Sequence, residues 1–104
     1  MTESAHLYSL LAEELAAYDL FQERPTQFGK RDRKAWYVHN REVVHIHSDG
    51  WIDIKLPREI RAKLRGDERA KPRANSDWVE FLLSQEEDVQ FALGLLVSAY
   101  SEAS

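Results

Sequence analysis

The sequence predicts an α+β fold, with an antiparallel sheet of three to four strands and N- and C-terminal helices packed on one of its faces. Three observations carry that expectation. Apolar residues recur at helical spacing at both ends of the chain, apolar and polar residues alternate in the middle, and Ser48-Asp49-Gly50 separates two β-rich runs.

Taken in order, Leu7, Leu11, Leu15 and Tyr18, joined by Leu10 and Phe21, mark a helix from Ser4 to Phe21. Thr2 or Ser4 can cap its start, and Pro25 forbids continuation past Arg24. The basic run Lys30-Arg31-Asp32-Arg33-Lys34 reads as a loop, and Ala35–His39 and Val43–His47 read as strands with a turn near Asn40-Arg41. Trp51–Leu56 alternates, with Ile52, Ile54 and Leu56 on one face and Trp51, Asp53 and Lys55 on the other. A three-residue loop with Gly50 in the left-handed region pairs Ile46 with Ile52 and Val44 with Ile54, keeping one face apolar. The same register sets His45 opposite Asp53 and His47 opposite Trp51.

Pro57 opens a short helix that runs through Leu64 and stops at Gly66, and Asp67–Asp77 reads as a polar loop containing Pro72. Trp78–Leu83 is a further strand, and Ser84 with Glu87 forms a capping box for a last helix whose stripe is Val89, Leu93, Leu96 and Tyr100. The whole chain, 1–104, is expected to form a single domain.

Composition narrows the function classes. At 104 residues, 43% hydrophobic and 31% charged, the chain is globular in character. It has no cysteine, which removes disulfides, thiolate metal sites and cysteine nucleophiles and suits a reducing compartment. No signal-peptide pattern or membrane-length apolar run is present, so a cytoplasmic location is expected. The net charge of −4 hides a segregation: all 14 Lys and Arg lie between Arg24 and Arg73 beside seven acids, and the other eleven acids flank them. A basic middle could meet an anionic partner, or the acidic terminal helices could neutralise it. The four glycines are scattered and form no phosphate loop, so no cofactor is expected.

The string His45-Ile46-His47-Ser48-Asp49-Gly50-Trp51-Ile52-Asp53-Ile54-Lys55-Leu56-Pro57 resembles the signature of the luciferase-like domain family, small and mostly bacterial proteins named for a related domain of fungal luciferases. Trp78-Val79-Glu80-Phe81, Glu87-Asp88-Val89 and Leu93–Tyr100 are similar to that family's closing strand and helix, and the likeness spans roughly residues 28 to 101. A looser resemblance, through Phe28-Gly29, Trp78 and Ser98-Ala99-Tyr100, links the chain to the YjbR-like double-wing proteins; it implies the same fold and a DNA-binding role. Neither resemblance brings a catalytic set that maps onto this chain residue by residue, and shared fold does not transfer chemistry.

Three groups of residues could carry a function. His45 and His47 share a strand face with Asp53 opposite, which suits either a metal site completed by Asp49 or Asp53, or a dyad in which Asp53 orients His45 as a general base. Equally, both histidines could be ordinary sheet residues, hydrogen-bonded to Asp53 or covered by Trp51. Lys30, Arg31, Arg33 and Lys34, with Arg65, Arg69, Lys71 and Arg73, could grip nucleic-acid phosphates if their loops meet. Trp36, Trp51 and Trp78, with Tyr37, could line a pocket for a flat ligand, Lys55 lying near Trp51 and Trp78, or could belong to the core.

The leading expectation is a non-catalytic binding or interaction module, with a homodimer through the open sheet face as one form. The alternatives are a small-molecule-binding protein or enzyme centred on His45, His47 and Asp53, and a nucleic-acid binder. No particular partner can be read from the sequence.

Overall fold

The computed structural model describes residues 3–27, 33–46 and 50–101. Helix α1 (Glu3–Ala16) is followed by strands β1 (Gln22–Pro25), β2 (Lys34–Val38), β3 (Arg41–Ile46) and β4 (Trp51–Lys55). Helix α2 (Arg58–Ala62), strands β5 (Ala70–Pro72) and β6 (Trp78–Leu82), and helix α3 (Glu86–Tyr100) complete the chain. The strands form one antiparallel sheet in the order β1-β2-β3-β4-β6-β5. The class is α+β as expected, but there are six strands rather than three or four.

Both additional strands are edges. β1 is exposed along its whole length and β5 is three residues long, so neither shows the apolar alternation by which a strand is read from sequence. Each ends in a proline, Pro25 or Pro72, which has no N–H to offer a further strand. The segment expected as a polar loop after Asp67 therefore contributes β5, and the segment before the basic run contributes β1.

α1 ends at Ala16, five residues short of the expected Phe21. Phe21 kept the helical period because it is buried, but it is buried from a turn, closed by its N–H to the Tyr18 carbonyl at 3.3 Å. The α3 cap also differs from expectation. Its N-cap is Gln85, and the Asp88 carboxylate accepts the backbone N–H groups of Ser84 at 2.8 Å and Gln85 at 3.1 Å. The capping pair is thus shifted one residue from Ser84 and Glu87.

α1 and α3 pack on each other and on one face of the sheet. Leu7, Leu11 and Leu15 from α1 and Val89, Ala92, Leu93 and Leu96 from α3 join Trp36, Val44, Ile52, Ile54, Val79 and Phe81 in a single buried cluster. At about 1.5–3 kcal/mol for each large side chain buried, this layer is the main favourable term in folding. The β3–β4 register is the expected one: Val44 faces Ile54, His45 faces Asp53 and Ile46 faces Ile52. Gly50 closes that hairpin at φ 91°, where a side chain would be strained.

The β2–β3 turn is made by His39 and Asn40, both at positive φ, with Val38 opposite Arg41. Farther along this pair the register shifts. Trp36 faces Val44 while Tyr37 faces Glu42, so Val43 is an extra residue, a β-bulge. Val43 and Val44 are both in the helix-side core as a result, and Glu42 is turned to the other face.

Arg69 pins the start of α3 to the lead-in of β5. It makes a two-point bond to Asp67 (Nη2–Oδ2 2.7 Å, Nε–Oδ1 3.0 Å) and one to Asp88 (Nη1–Oδ1 2.9 Å). Its guanidinium also lies 4.3 Å from the Phe91 ring centroid and 5.2 Å from that of Phe81.

For Asp88, burial pushes the pKa up, but the hydrogen bonds from Ser84, Arg69 and Gln85 outweigh it and leave the carboxyl below its ordinary value. The Asp67 carboxyl is also lowered, chiefly by its side-chain hydrogen bond with Arg69. Two outcomes are expected. Replacing Asp88 by Ala leaves Arg69 and two backbone donors without their acceptor and lowers stability by on the order of 3 kcal/mol, which chemical denaturation will read. Because both folded-state pKa values are depressed, the contribution of these carboxylates is complete above their unfolded pKa, 3.8, and is lost as pH falls through the folded values. Stability of Asp88→Asn measured from pH 6 downward should accordingly fall less steeply than that of the native protein.

Candidate functional site

The sheet face turned away from the helices carries a buried polar cluster centred on His45. Its Nε2 lies 2.6 Å from Asp53 Oδ2 on the neighbouring strand, and its Nδ1 lies 2.8 Å from Glu42 Oε2 on its own strand. The carboxylate side chains are 2% and 4% exposed and the imidazole 14%, so the ring closes over both.

Asp53 reaches His45 through simple cross-strand pairing. Glu42 reaches it through the bulge. Residues 42 and 45 are three apart, and strand alternation would put them on opposite faces; the extra residue Val43 restores them to one. The sequence reading therefore found Asp53 and missed Glu42. A register shift between two apparently regular strands leaves no mark in periodicity alone.

Glu42 is held from three further sides. Oε2 accepts the Thr26 hydroxyl at 2.7 Å, and Oε1 accepts the Gln27 backbone N–H at 2.8 Å and the Tyr37 hydroxyl at 2.9 Å. Burial raises the Tyr37 phenol above its ordinary pKa, and its hydrogen bond to Glu42 and that residue's charge act in the same direction, against Arg24. On the other side, Arg73 Nη2 lies 3.7 Å from Asp53 Oδ1 and its Nε lies 3.6 Å from Glu80 Oε2. The Trp78 ring covers His45 at 4.9 Å between centroids.

This arrangement bears on both chemical readings of His45. Each ring nitrogen faces a carboxylate oxygen in the folded protein. A general base needs a nitrogen turned toward its substrate, and here Glu42 stands where that substrate's proton would be. A metal needs ligands that converge on one point, whereas the two ring nitrogens look in different directions at two different strands' carboxylates. Among the described residues no group of three His, Asp or Glu side chains is arranged to hold a metal ion. His47 and Asp49, which the sequence reading joined to this site, lie outside the described residues, as do Phe28 and Gly29.

Of the aromatic candidates, Trp51 and Trp78 are half-buried on the helix-free face, with Lys71 Nζ 4.8 Å from the Trp51 ring centroid and Lys55 paired across from Trp78. Trp36 does not join them. It is 1% exposed and belongs to the helix-side core, because it shares a face with Val44 across the β2–β3 pair. Tyr37 lies on the helix-free face, bound to Glu42.

The basic candidates are dispersed. Lys34, on β2, approaches Glu23 at 3.8 Å beside one edge of the sheet. Lys71 is on β5 at the opposite edge, with Arg69 and Arg73 flanking that strand. Three strands separate β2 from β5, a span of roughly 19 Å at the usual interstrand spacing. Arg33 offers its carbonyl to the Thr26 N–H at 3.0 Å, while Lys30 and Arg31 lie outside the described residues.

Fold and site together define a small α+β protein with a carboxylate–imidazole–carboxylate cluster on the open face of its sheet. The family model described as the Luciferase domain matches residues 40–99, more than half of the chain, and the protein belongs to that family. His45, Asp53, Glu42 and Trp78 fall inside the match; Thr26 and Tyr37, which hold Glu42, fall outside it. No curated protein and no solved structure matches the chain, and the looser double-wing likeness gains no support from these comparisons. No helix among the described residues is long and apolar enough to cross a membrane.

Removing His45 alone would leave two buried carboxylates facing one another. His45→Ala is therefore expected to lower stability by about 3 kcal/mol, and adding Asp53→Asn, which removes one of the two facing charges and leaves the partners of Glu42 in place, should recover part of that loss. Urea unfolding of the two variants checks this; a double variant no more stable than the single one would show that carboxylate repulsion is not the cause.

Proposed function

We propose that this luciferase-domain protein is a non-catalytic binding module whose ligand lies on the helix-free sheet face, against Trp51 and Trp78, with Lys55, Lys71 and Arg73 around them. The observation that carries the reading is the state of His45. Its Nε2 is hydrogen-bonded to Asp53 and its Nδ1 lies 2.8 Å from Glu42 Oε2, so the ring serves as a fixed floor to the face, leaving aromatic faces, cations and the Glu80 carboxylate beside Arg73 as its accessible chemistry.

That combination suits a planar organic acid. A half-buried indole offers a flat apolar surface at low entropic cost, and a nearby ammonium or guanidinium selects for negative charge. The alternative of an enzyme centred on His45 requires a ligand to displace Glu42 or Asp53 from the ring. A homodimer through the same face is less well supported by where apolar area is exposed. The two exposed large hydrophobic residues among those described, Tyr18 and Phe91, belong to the α1–β1 turn and to α3.

A thermal-shift screen with flat aromatic carboxylic acids tests the proposal. A ligand at a hundred times its dissociation constant should add about 2.7 kcal/mol and raise Tm by several degrees. The rise should vanish in Trp78→Ala and persist in His45→Gln, each compared with its own ligand-free Tm. Turnover of a bound acid, abolished by His45→Gln, would favour the enzyme reading. Absence of any shift, with concentration-dependent dimerisation, would favour the interaction surface.

A further inference from the structure

A second feature meets the His45 cluster only at Arg73, and two of its arginines, Arg58 and Arg61, were not singled out in the sequence. Between α2 and the loop joining β5 to β6 runs an open cleft of about 750 Å³, and four of its lining residues are arginines: Arg58, Arg61, Arg65 and Arg73. The first three are spaced i, i+3 and i+7 along α2 and the turn that continues it, which sets them on one side of that segment.

The cleft's charge is poorly balanced by its own walls. Asp77 is the one carboxylate among the lining residues, and it is engaged by Arg61 (Nη1–Oδ1 2.7 Å), whose Nη1 also donates to the Ser76 carbonyl at 2.8 Å. Arg73 leans toward Asp53 and Glu80 on the sheet face. Arg58 and Arg65 are exposed and have no carboxylate partner among the described residues. With Arg61 held by Asp77 and Arg73 facing Asp53 and Glu80, Arg58 and Arg65 leave two uncompensated positive charges in one concavity of a chain whose net charge is −4.

Like charges gathered on one side of a helix repel and weaken it, so side-chain pairing along α2 does not favour this grouping. Arginine is permanently charged, and its planar fork of N–H donors matches the oxygens of phosphate. Neutral donors complete the wall. Asn75 is held at φ 57° in the loop, and Ser76 Oγ accepts the Trp78 N–H at 3.0 Å, a bond that does not use its own hydroxyl proton.

We propose that this cleft is a binding site for a small multivalent oxyanion, a phosphate or pyrophosphate group either free or carried by a small molecule, with Arg58 and Arg65 as its principal ligands and Arg61 as a charge fixed in place by Asp77. Arg73 borders both this cleft and the sheet face, whereas Arg58 and Arg65 line the cleft and take no part in the aromatic-acid reading.

Calorimetric titration with inorganic phosphate and with pyrophosphate, alongside a 20-nucleotide single-stranded DNA, tests it. The expected result is saturable 1:1 binding, tighter for pyrophosphate than for phosphate. Arg58→Ala and Arg65→Ala should each weaken it by about tenfold, in keeping with the loss of a charge-assisted hydrogen bond. Both side chains are exposed, so the variants should keep the native Tm. Lys34→Ala, which removes a cation beside the far edge of the sheet, should bind as the native protein does. Failure to saturate with either anion, or equal weakening in Lys34→Ala, would overturn the site. DNA bound more tightly than pyrophosphate, with affinity falling steeply in salt, would also overturn it in favour of a nucleic-acid surface.

Discussion

One extra residue in β3 sets the character of both faces of this sheet. Strand geometry alternates side chains strictly, so a regular β3 could not present Glu42 and His45 together while also burying Val44 beneath the helices. The bulge at Val43 resolves that conflict. It sends Val43 and Val44 both into the core and turns Glu42 to the open side, where Thr26, Tyr37 and the Gln27 backbone converge on it. Without the bulge the imidazole would meet one carboxylate rather than two. The site's chemistry is thus a consequence of backbone geometry two residues away from His45.

How much of this was legible in the sequence follows from where period and burial agree. The β3–β4 hairpin could be read to the residue because Ile46, Val44, Ile52 and Ile54 must share one buried face, and only one loop length allows it. The core stripes of α1 and α3 were legible for the same reason. The edge strands were not, since Gln22–Pro25 and Ala70–Pro72 bury too little side chain to create a pattern. The end of α1 was overrun because Phe21 is buried at a helical interval without being helical. Glu42 was hidden by parity, and the arginines of α2 were hidden by being ordinary surface residues until the β5–β6 loop closes a cleft over them.

The uneven charge of the chain is handled largely within the sheet and its neighbouring loops, with a tie to α3 at Arg69. The expectation that acidic terminal helices neutralise a basic middle holds at Arg69, whose bond to Asp88 joins the middle to α3. Three other cations find partners near the sheet: Lys34 with Glu23, Arg61 with Asp77, and Arg73 with Asp53 and Glu80. Arg69 is accordingly a structural residue despite its place in a basic run. Its stacking against Phe91 and Phe81 shields apolar surface as well as charge.

The docking of α1 on α3 also has a consequence in time. Leu7, Leu11 and Leu15 are covered jointly by the sheet and by a helix that begins only at Glu86, whereas α1 is complete at Ala16. At cellular rates of synthesis, the ribosome takes roughly 4 to 14 s to make the chain between them. During that interval the leucine stripe has no lasting partner, and the nascent chain presents the kind of apolar segment that chaperones recognise.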